Sequence, residues 1–150
     1  KMKMVLAALV VVAAATVSSG QQPANPLMGA CRVTELTDAN GTIANPQPGL
    51  YVFAKSHYSF VRIQGTRPLP DYPSNDKATD ADKVAVFNAL YMNTGSYTVS
   101  GNRLSTVAMV AKSKFAMGGS GNQYEFAISG NTLTLTQRPQ GATLKLTRLE

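Results

Sequence analysis

From residue 29 onward the hydrophobic positions alternate with polar ones more often than they fall at helical spacing. Leu133 and Leu135 alternate with Thr132, Thr134 and Thr136; Leu144 and Leu146 alternate with Thr143, Lys145 and Thr147. Period-two patterning puts one face of a strand into a core and the other into water. It predicts strands at 29–37, 49–55, 57–65, 94–100, 102–112, 122–129, 131–137 and 141–149. Turn chemistry separates them. Asp38-Ala39-Asn40-Gly41 ends the first strand with residues that tolerate positive φ. Ser-Gly-Asn recurs at 100–102, 120–122 and 129–131, and Gly-Asn between alternating runs signals a tight hairpin.

One stretch breaks the alternation. Thr79 followed by Asp80 and Asp82 is a helix start, with a hydroxyl N-cap and carboxylates where the helix dipole favours them. Val84, Phe87, Leu90 and Tyr91 then fall at helical spacing, and Asn93 to Gly95 is the expected stop. This predicts one short helix near 80–92, its apolar stripe set over an open end of the barrel. The preceding segment, 66–78, contains three prolines and is expected as a long loop. Eight strands in meander order within about 120 residues point to an all-β, eight-stranded antiparallel barrel, because closure removes the exposed edges of short strands. At that strand number the interior is either filled by side chains or holds one small ligand.

The N-terminus has a different pattern. Lys1 and Lys3 precede an apolar run, Val5 to Val17, followed by Ser18-Ser19-Gly20. A charged start, a short apolar centre and a small-residue end make a signal peptide, with cleavage expected after Gly20. The run is shorter than the roughly 20 apolar residues a spanning helix needs. Met28-Gly29-Ala30-Cys31 loosely resembles a lipidation site, but the polar, proline-broken 21–26 separates it from the apolar run and argues against that reading. The expected division is therefore a signal peptide at 1–20, a linker at 21–28 and a barrel domain at 29–150.

Composition narrows the chemistry. One Cys excludes an internal disulfide framework and a multi-cysteine zinc site, and one His excludes a His-rich metal centre. The formal charge of +6 falls to +4 without Lys1 and Lys3, and the remaining cations are scattered, so nucleic acid is not an expected partner. No G-x-S-x-G elbow supports a triad. Asp71, Asp76, Asp80 and Asp82 lack calcium-loop spacing and read as capping and solvated residues. Gly118, Gly119 and Gly121 lack the strand–turn–helix context of a phosphate loop and read as a hairpin connection. No cofactor is expected.

Several short segments, in order along the chain, resemble the bacterial lipocalin-like domain family of calycin-type barrels. Gly29-Ala30-Cys31-Arg32-Val33-Thr34-Glu35-Leu36 is similar to the family's Gly-x-Trp opening strand. Pro48-Gly49-Leu50-Tyr51-Val52-Phe53 and His57-Tyr58-Ser59-Phe60-Val61 are similar to its second and third strands. Tyr91 to Gly101 resembles its Tyr-x-Gly-x-Tyr-x-Val segment, and Gly130-Asn131-Thr132-Leu133-Thr134-Leu135 its Gly-x-x-Leu-x-Leu strand. The resemblance covers roughly residues 26–149 and implies a barrel with an internal cavity. Cys31 stands where the family has Trp, whose ring closes the barrel floor beneath an Arg of the last strand; Arg148 lies at a suitable place for that partner.

The candidate ligand-binding residues are Tyr51, Phe53, Tyr58, Phe60, Arg62, Tyr97 and Phe126. Tyr58, Phe60 and Arg62 share one strand face, with His57, Ser59, Val61 and Ile63 on the other. Both faces hold apolar residues, so alternation alone admits either orientation. Turned inward, Arg62 and Tyr58 would offer fixed donors to a carboxylate or carbonyl, and only Glu35 and Glu125 are plausible internal acids. His57 sits at a hairpin turn and is expected at the surface; Cys31 is expected as a small buried residue.

The expectation from these features is an exported protein, periplasmic or secreted, binding a small apolar or amphipathic molecule in its barrel. It is expected as a monomer or weak dimer with no membrane span. The alternatives are a barrel enzyme of isomerase, cyclase or hydratase type using Tyr58, Arg62 or Tyr97 as donors, and a filled barrel acting through its surface as an inhibitor or envelope partner. With no recognisable catalytic set, the balance leans away from the enzyme. Export predicts a mature N-terminus close to Gln21, checked by intact-mass measurement of the protein recovered from periplasm or medium; retention of residues 1–20 there overturns it.

Overall fold

The computed structural model describes residues 25–139 and 141–150, so the expected signal peptide lies outside the described residues. Nine strands follow in order: β1 (Gly29–Asp38), β2 (Gly41–Ala44), β3 (Gly49–Phe53), β4 (His57–Ile63), β5 (Leu90–Ser100), β6 (Arg103–Ala111), β7 (Asn122–Ser129), β8 (Thr132–Arg138) and β9 (Thr143–Arg148). One helix, α1 (Asp80–Ala89), precedes β5. Neighbours from β3 to β9 pair in sequence, and β9 returns to β1, which also pairs with β3. The predicted eight-stranded antiparallel barrel is therefore closed.

Strand β2 is an addition to that ring. Gly41–Ala44 pairs with Glu35–Asp38 of β1, beyond the part of β1 that meets β3. The Asp38 carboxylate accepts from the Asn40 amide at 2.8 Å and shapes the connecting turn. The sequence reading treats this stretch as a plain turn because a four-residue strand with one large apolar residue carries almost no periodic signal. At the β5–β6 and β7–β8 hairpins the Gly-Asn signal holds: Ser100 faces Arg103, Ser129 faces Thr132, and Gly101 and Gly130 have φ of 59° and 55°.

Helix α1 begins as its sequence dictates. The Thr79 hydroxyl accepts from the Asp82 amide while the Asp82 carboxylate accepts from the Thr79 amide, a reciprocal cap. The helix ends sooner than its spacing predicts. Leu90, Tyr91 and Met92 leave it for the sheet, where they face Ile63, Arg62 and Val61 of β4. The ladder bonds of a central strand outweigh the last helical turn. The helix does not seal the barrel either: none of its residues is buried, and Val84 and Phe87 are exposed.

The core divides by chemistry. Leu133, Leu135, Leu144 and Leu146 from β8 and β9 join Val33 and Leu36 of β1 as an aliphatic wall. Tyr51, Phe53, Tyr58, Phe60 and Tyr97 from β3, β4 and β5 form an aromatic wall opposite. The ring centroids of Tyr51 and Phe60 are 4.2 Å apart, those of Tyr58 and Phe60 4.3 Å, and those of Phe53 and Tyr97 5.5 Å.

The floor is closed by residues expected as linker. Leu27 is completely buried within the core cluster. Asn25 holds it from both sides: its side-chain carbonyl accepts from the Leu27 amide at 3.1 Å, and its amide donates to the Tyr97 hydroxyl at 2.5 Å. That hydroxyl in turn donates to the Ala54 carbonyl. The Arg148 guanidinium donates to the carbonyls of Pro26 and Met28. Cys31 is fully buried and faces Arg148 across the β1–β9 seam, so Arg148 keeps a floor role, fastening the chain that carries Leu27. Gly29 is required where this segment turns into β1: its φ is +128°, and an added Cβ would lie 2.4 Å from the Glu150 carbonyl oxygen.

Leu27→Ala is expected to cost about 2–5 kcal/mol, as a buried leucine does when the space cannot collapse. Exposed Met28→Ala should stay within about 0.5 kcal/mol. Urea midpoints of the two variants measure the difference; equal midpoints would mean that Leu27 does not plug the floor.

Candidate ligand site at the barrel mouth

Alternation on β4 resolves in one direction. Tyr58 and Phe60 are buried and turn inward, Val61 is exposed, and Arg62 follows the inward face toward the end opposite the floor. The neighbouring strand supplies matching positions: Tyr91 faces Arg62, Asn93 faces Phe60, and Gly95 faces Tyr58. On the other side Gly49 faces Arg62, and an added Cβ there would lie 2.8 Å from the Arg62 Cβ and 2.7 Å from a Val33 methyl. A glycine is what lets the arginine and Val33 close over this strand.

Arg62 is the charged member of a set of polar groups inside apolar walls. Its guanidinium lies over the Tyr91 ring, 5.0 Å from the centroid. The Asn93 side-chain amide donates to the Tyr91 hydroxyl at 2.9 Å. Three buried polar atoms have no hydrogen-bond partner: Arg62 Nε, the Tyr58 hydroxyl and Asn93 Oδ1. Such atoms cost free energy unless something meets them.

Both acids considered as internal partners are elsewhere. Glu35 pairs with Lys145 at 2.8 Å, and Glu125 pairs with Arg138 on the outer face, which lowers the Glu125 carboxyl below its usual range. Neither reaches Arg62. Burial pushes the phenols of Tyr51 and Tyr124 well above the usual range; Arg62 opposes the shift at Tyr51, and neighbouring tyrosines reinforce it at Tyr124. Burial also raises Tyr58 and Tyr97, opposed by Thr106 and Asn25 respectively. These phenols are neutral donors at ordinary pH.

Open space adjoins this cluster at the mouth. A cleft of about 350 Å³ is lined by Leu36, Ile43, Arg62, Gln64 and Thr66, with Asp38, Asn40, Gly41, Thr42 and Gly65 completing it. Its volume lies at the lower end of the range for small-molecule sites. Arg62 alone of the expected residues lines the cleft; Tyr51 and Phe60 lie one step deeper on the inward faces, and Tyr58 one step deeper again, level with Phe53. Phe53 and Tyr97 lie toward the floor, where the Tyr97 hydroxyl is engaged by Ala54 and Asn25. Phe126 is half-buried on β7 and faces Leu135, on the aliphatic side.

Tyr91, Asn93, Thr106 and Tyr124 share the inward faces near Arg62 and Tyr58, and the sequence reading does not single them out as candidates. Tyr91 and Asn93 are hidden in the helical pattern, although Tyr91, Asn93, Gly95 and Tyr97 repeat the period of β4. His57 is exposed, its Nδ1 3.0 Å from the Ser56 hydroxyl. Among the described residues no group of three metal-ligating side chains occurs, and no helix is long and apolar enough to cross a membrane.

The buried phenols predict a one-sided alkaline instability. A raised native pKa means the folded chain holds protons that the unfolded chain releases, so this stability is fully present below pH 10 and declines as pH rises above it. Each such tyrosine contributes a slope of up to about 1.4 kcal/mol per pH unit. Urea unfolding followed from pH 9 to 11.5, with phenolate absorbance recorded on both states, should show falling midpoints and fewer phenolates in the folded protein. Equal phenolate content in the two states would contradict the burial.

No family model matches the chain, and no curated protein matches it. Among solved structures it is similar to a lipocalin-like protein from Bacteroides uniformis ATCC 8492, with 16% identity, a TM-score of 0.51 and coverage of 82% of this chain and 98% of that one. It is also similar to an uncharacterized protein from Bacteroides eggerthii DSM 20697, with 10% identity, a TM-score of 0.49 and coverage of 81% and 98%. The first of these likenesses, with the closed eight-strand antiparallel ring, establishes the fold: the chain is a lipocalin-like β-barrel.

Proposed function

We propose that this protein is an exported binder, periplasmic or secreted, that takes a small amphipathic molecule at the barrel mouth and directs its carboxylate or carbonyl to Arg62. The observation that carries the reading is the state of Arg62. Its Nε is buried and unpartnered, and neither Glu35 nor Glu125 reaches it. A guanidinium does not lose its proton, so it needs an acceptor where water is scarce. Leu36 and Ile43 in the adjoining cleft suit the apolar remainder of such a ligand. The similar solved protein is described as lipocalin-like, which agrees with a binding role at the level of fold.

A second reading is favoured by a different observation. The aromatic wall and Leu27 occupy the lower lumen, as they would in a filled barrel that acts through its outer surface. Arg62→Met separates the two. For a binder, the variant loses about tenfold or more in affinity for a fluorescent fatty acid, the worth of a charge-assisted hydrogen bond. It keeps its affinity for the methyl ester of the same probe. Fluorescence titration of both proteins with both probes measures this. Equal loss for both probes, or no binding of either by the unaltered protein, overturns the binding reading.

A further inference from the structure

Beside the mouth, the connection from β6 to β7 displays apolar side chains outward instead of covering the barrel. Phe115 is 98% exposed, and Met109, Met117 and Phe87 are exposed near it along the chain segments that meet at this end. The display is built, not slack. Ser113 Oγ accepts from the Phe115 amide at 3.3 Å, Ala116 and Met117 close a 3₁₀ turn on Ser113 and Lys114, and the Gly118 amide folds the loop back onto the Ala108 carbonyl at 2.9 Å. Lys112 ties the loop to the helix, donating to the Phe87 carbonyl at 3.0 Å with its ammonium 5.0 Å from the Phe87 ring centroid. The Gln64 amide bonds the Ala89 carbonyl, which joins the helix end to the rim of the mouth cleft.

Along the chain from the body of the helix to the start of β7 the formal charge has one sign, the acids Asp80 and Asp82 lying at the far, N-terminal end of the helix. Residues 83–124 contain no Asp or Glu, and neither Lys112 nor Lys114 makes an ion pair among the described residues. A protruding ring flanked by methionines and by ammonium groups that have no carboxylate partner among the described residues matches a surface that is anionic outside and apolar just beneath. We propose that this end of the barrel docks on an anionic lipid bilayer, with Phe115 and Met117 entering the acyl boundary and Lys112 and Lys114 meeting lipid phosphates. A second copy of the chain is a poorer occupant, because it would bring the same ammonium groups against each other. The inference stands on the loop and its charge, independently of what the mouth cleft holds.

The chain contains no Trp, so Phe115→Trp places a single reporter at the proposed point of entry. Ser100→Trp, on the hairpin at the floor end, is the control. With phosphatidylglycerol–phosphatidylcholine vesicles, the Phe115→Trp emission should shift to the blue and be quenched by brominated acyl chains, while Ser100→Trp does neither. Adding Lys114→Gln should weaken vesicle binding about fivefold, the share of one lysine near an anionic surface. Raising the salt concentration should weaken it further. No shift at position 115, or equal shifts at both positions, overturns the proposal. A shift that occurs without vesicles and grows with protein concentration also overturns it, in favour of self-association; a shift induced only by an acidic protein would reassign the surface to a protein partner.

Discussion

Closure of the sheet through β1 and β9 is the constraint on which the rest depends. Cys31 to Thr37 of β1 pairs with Thr143 to Arg148 of β9, with one register shift between Val33 and Glu35. Without that seam, β1 and β9 would be open edges and the sheet would have no interior. With it, every inward position is committed to the lumen, whatever its chemistry. Arg62 is placed among rings because Tyr58 and Phe60, four and two residues earlier on the same strand, are too apolar to face outward. The arginine is carried inside by its neighbours.

Such an arrangement has an energetic consequence. Tyr51, Tyr58 and Phe60 stack around the middle of the lumen and supply the apolar burial that a barrel needs. The hydroxyls of Tyr51 and Tyr58, with Asn93 and Arg62, supply the opposite: polar atoms out of water, three of this set unmet among the described residues. A core built for stability alone would place phenylalanine or leucine here, as β8 and β9 do with Leu133, Leu135, Leu144 and Leu146. Concentrating unmet polar atoms on one wall while keeping the other wall aliphatic is a cost that stability does not explain. It makes sense where an additional group completes the set.

Much of this was legible in the chain, for a physical reason. Strand alternation survives in β8 and β9 because one face is wet, so Leu and Thr separate cleanly. The N-cap at Thr79 was readable because capping is local chemistry. What escaped was decided by distant partners. Tyr91 and Leu90 have helical spacing to Phe87, yet β4 draws them into its ladder. Leu27 sits in a polar, proline-rich stretch with no periodicity, and only Arg148, Asn25 and Tyr97 make it a plug. Gly49 reads only as the opening of a strand; its use, room for Arg62 and Val33 side by side, exists only in three dimensions. The orientation of β4 likewise became definite only when the ring closed.

The two ends of the barrel do different work, and the division follows from which residues are available to close each. At the floor, backbone carbonyls of Pro26, Met28 and Ala54 meet Arg148 and Tyr97, so the donors there are consumed and the end is sealed without a large ring. At the mouth, the proline-containing loop and the helix that might have covered the opening instead stand beside it. The helix buries none of its residues, because its last turn was taken by β5 and its remaining apolar residues are too few to compete for the lumen. Unmet polar atoms remain on the aromatic wall above that floor, from Tyr58 to Arg62. A floor with saturated bonds below a wall with unmet ones is the polarity on which the proposed binding role rests.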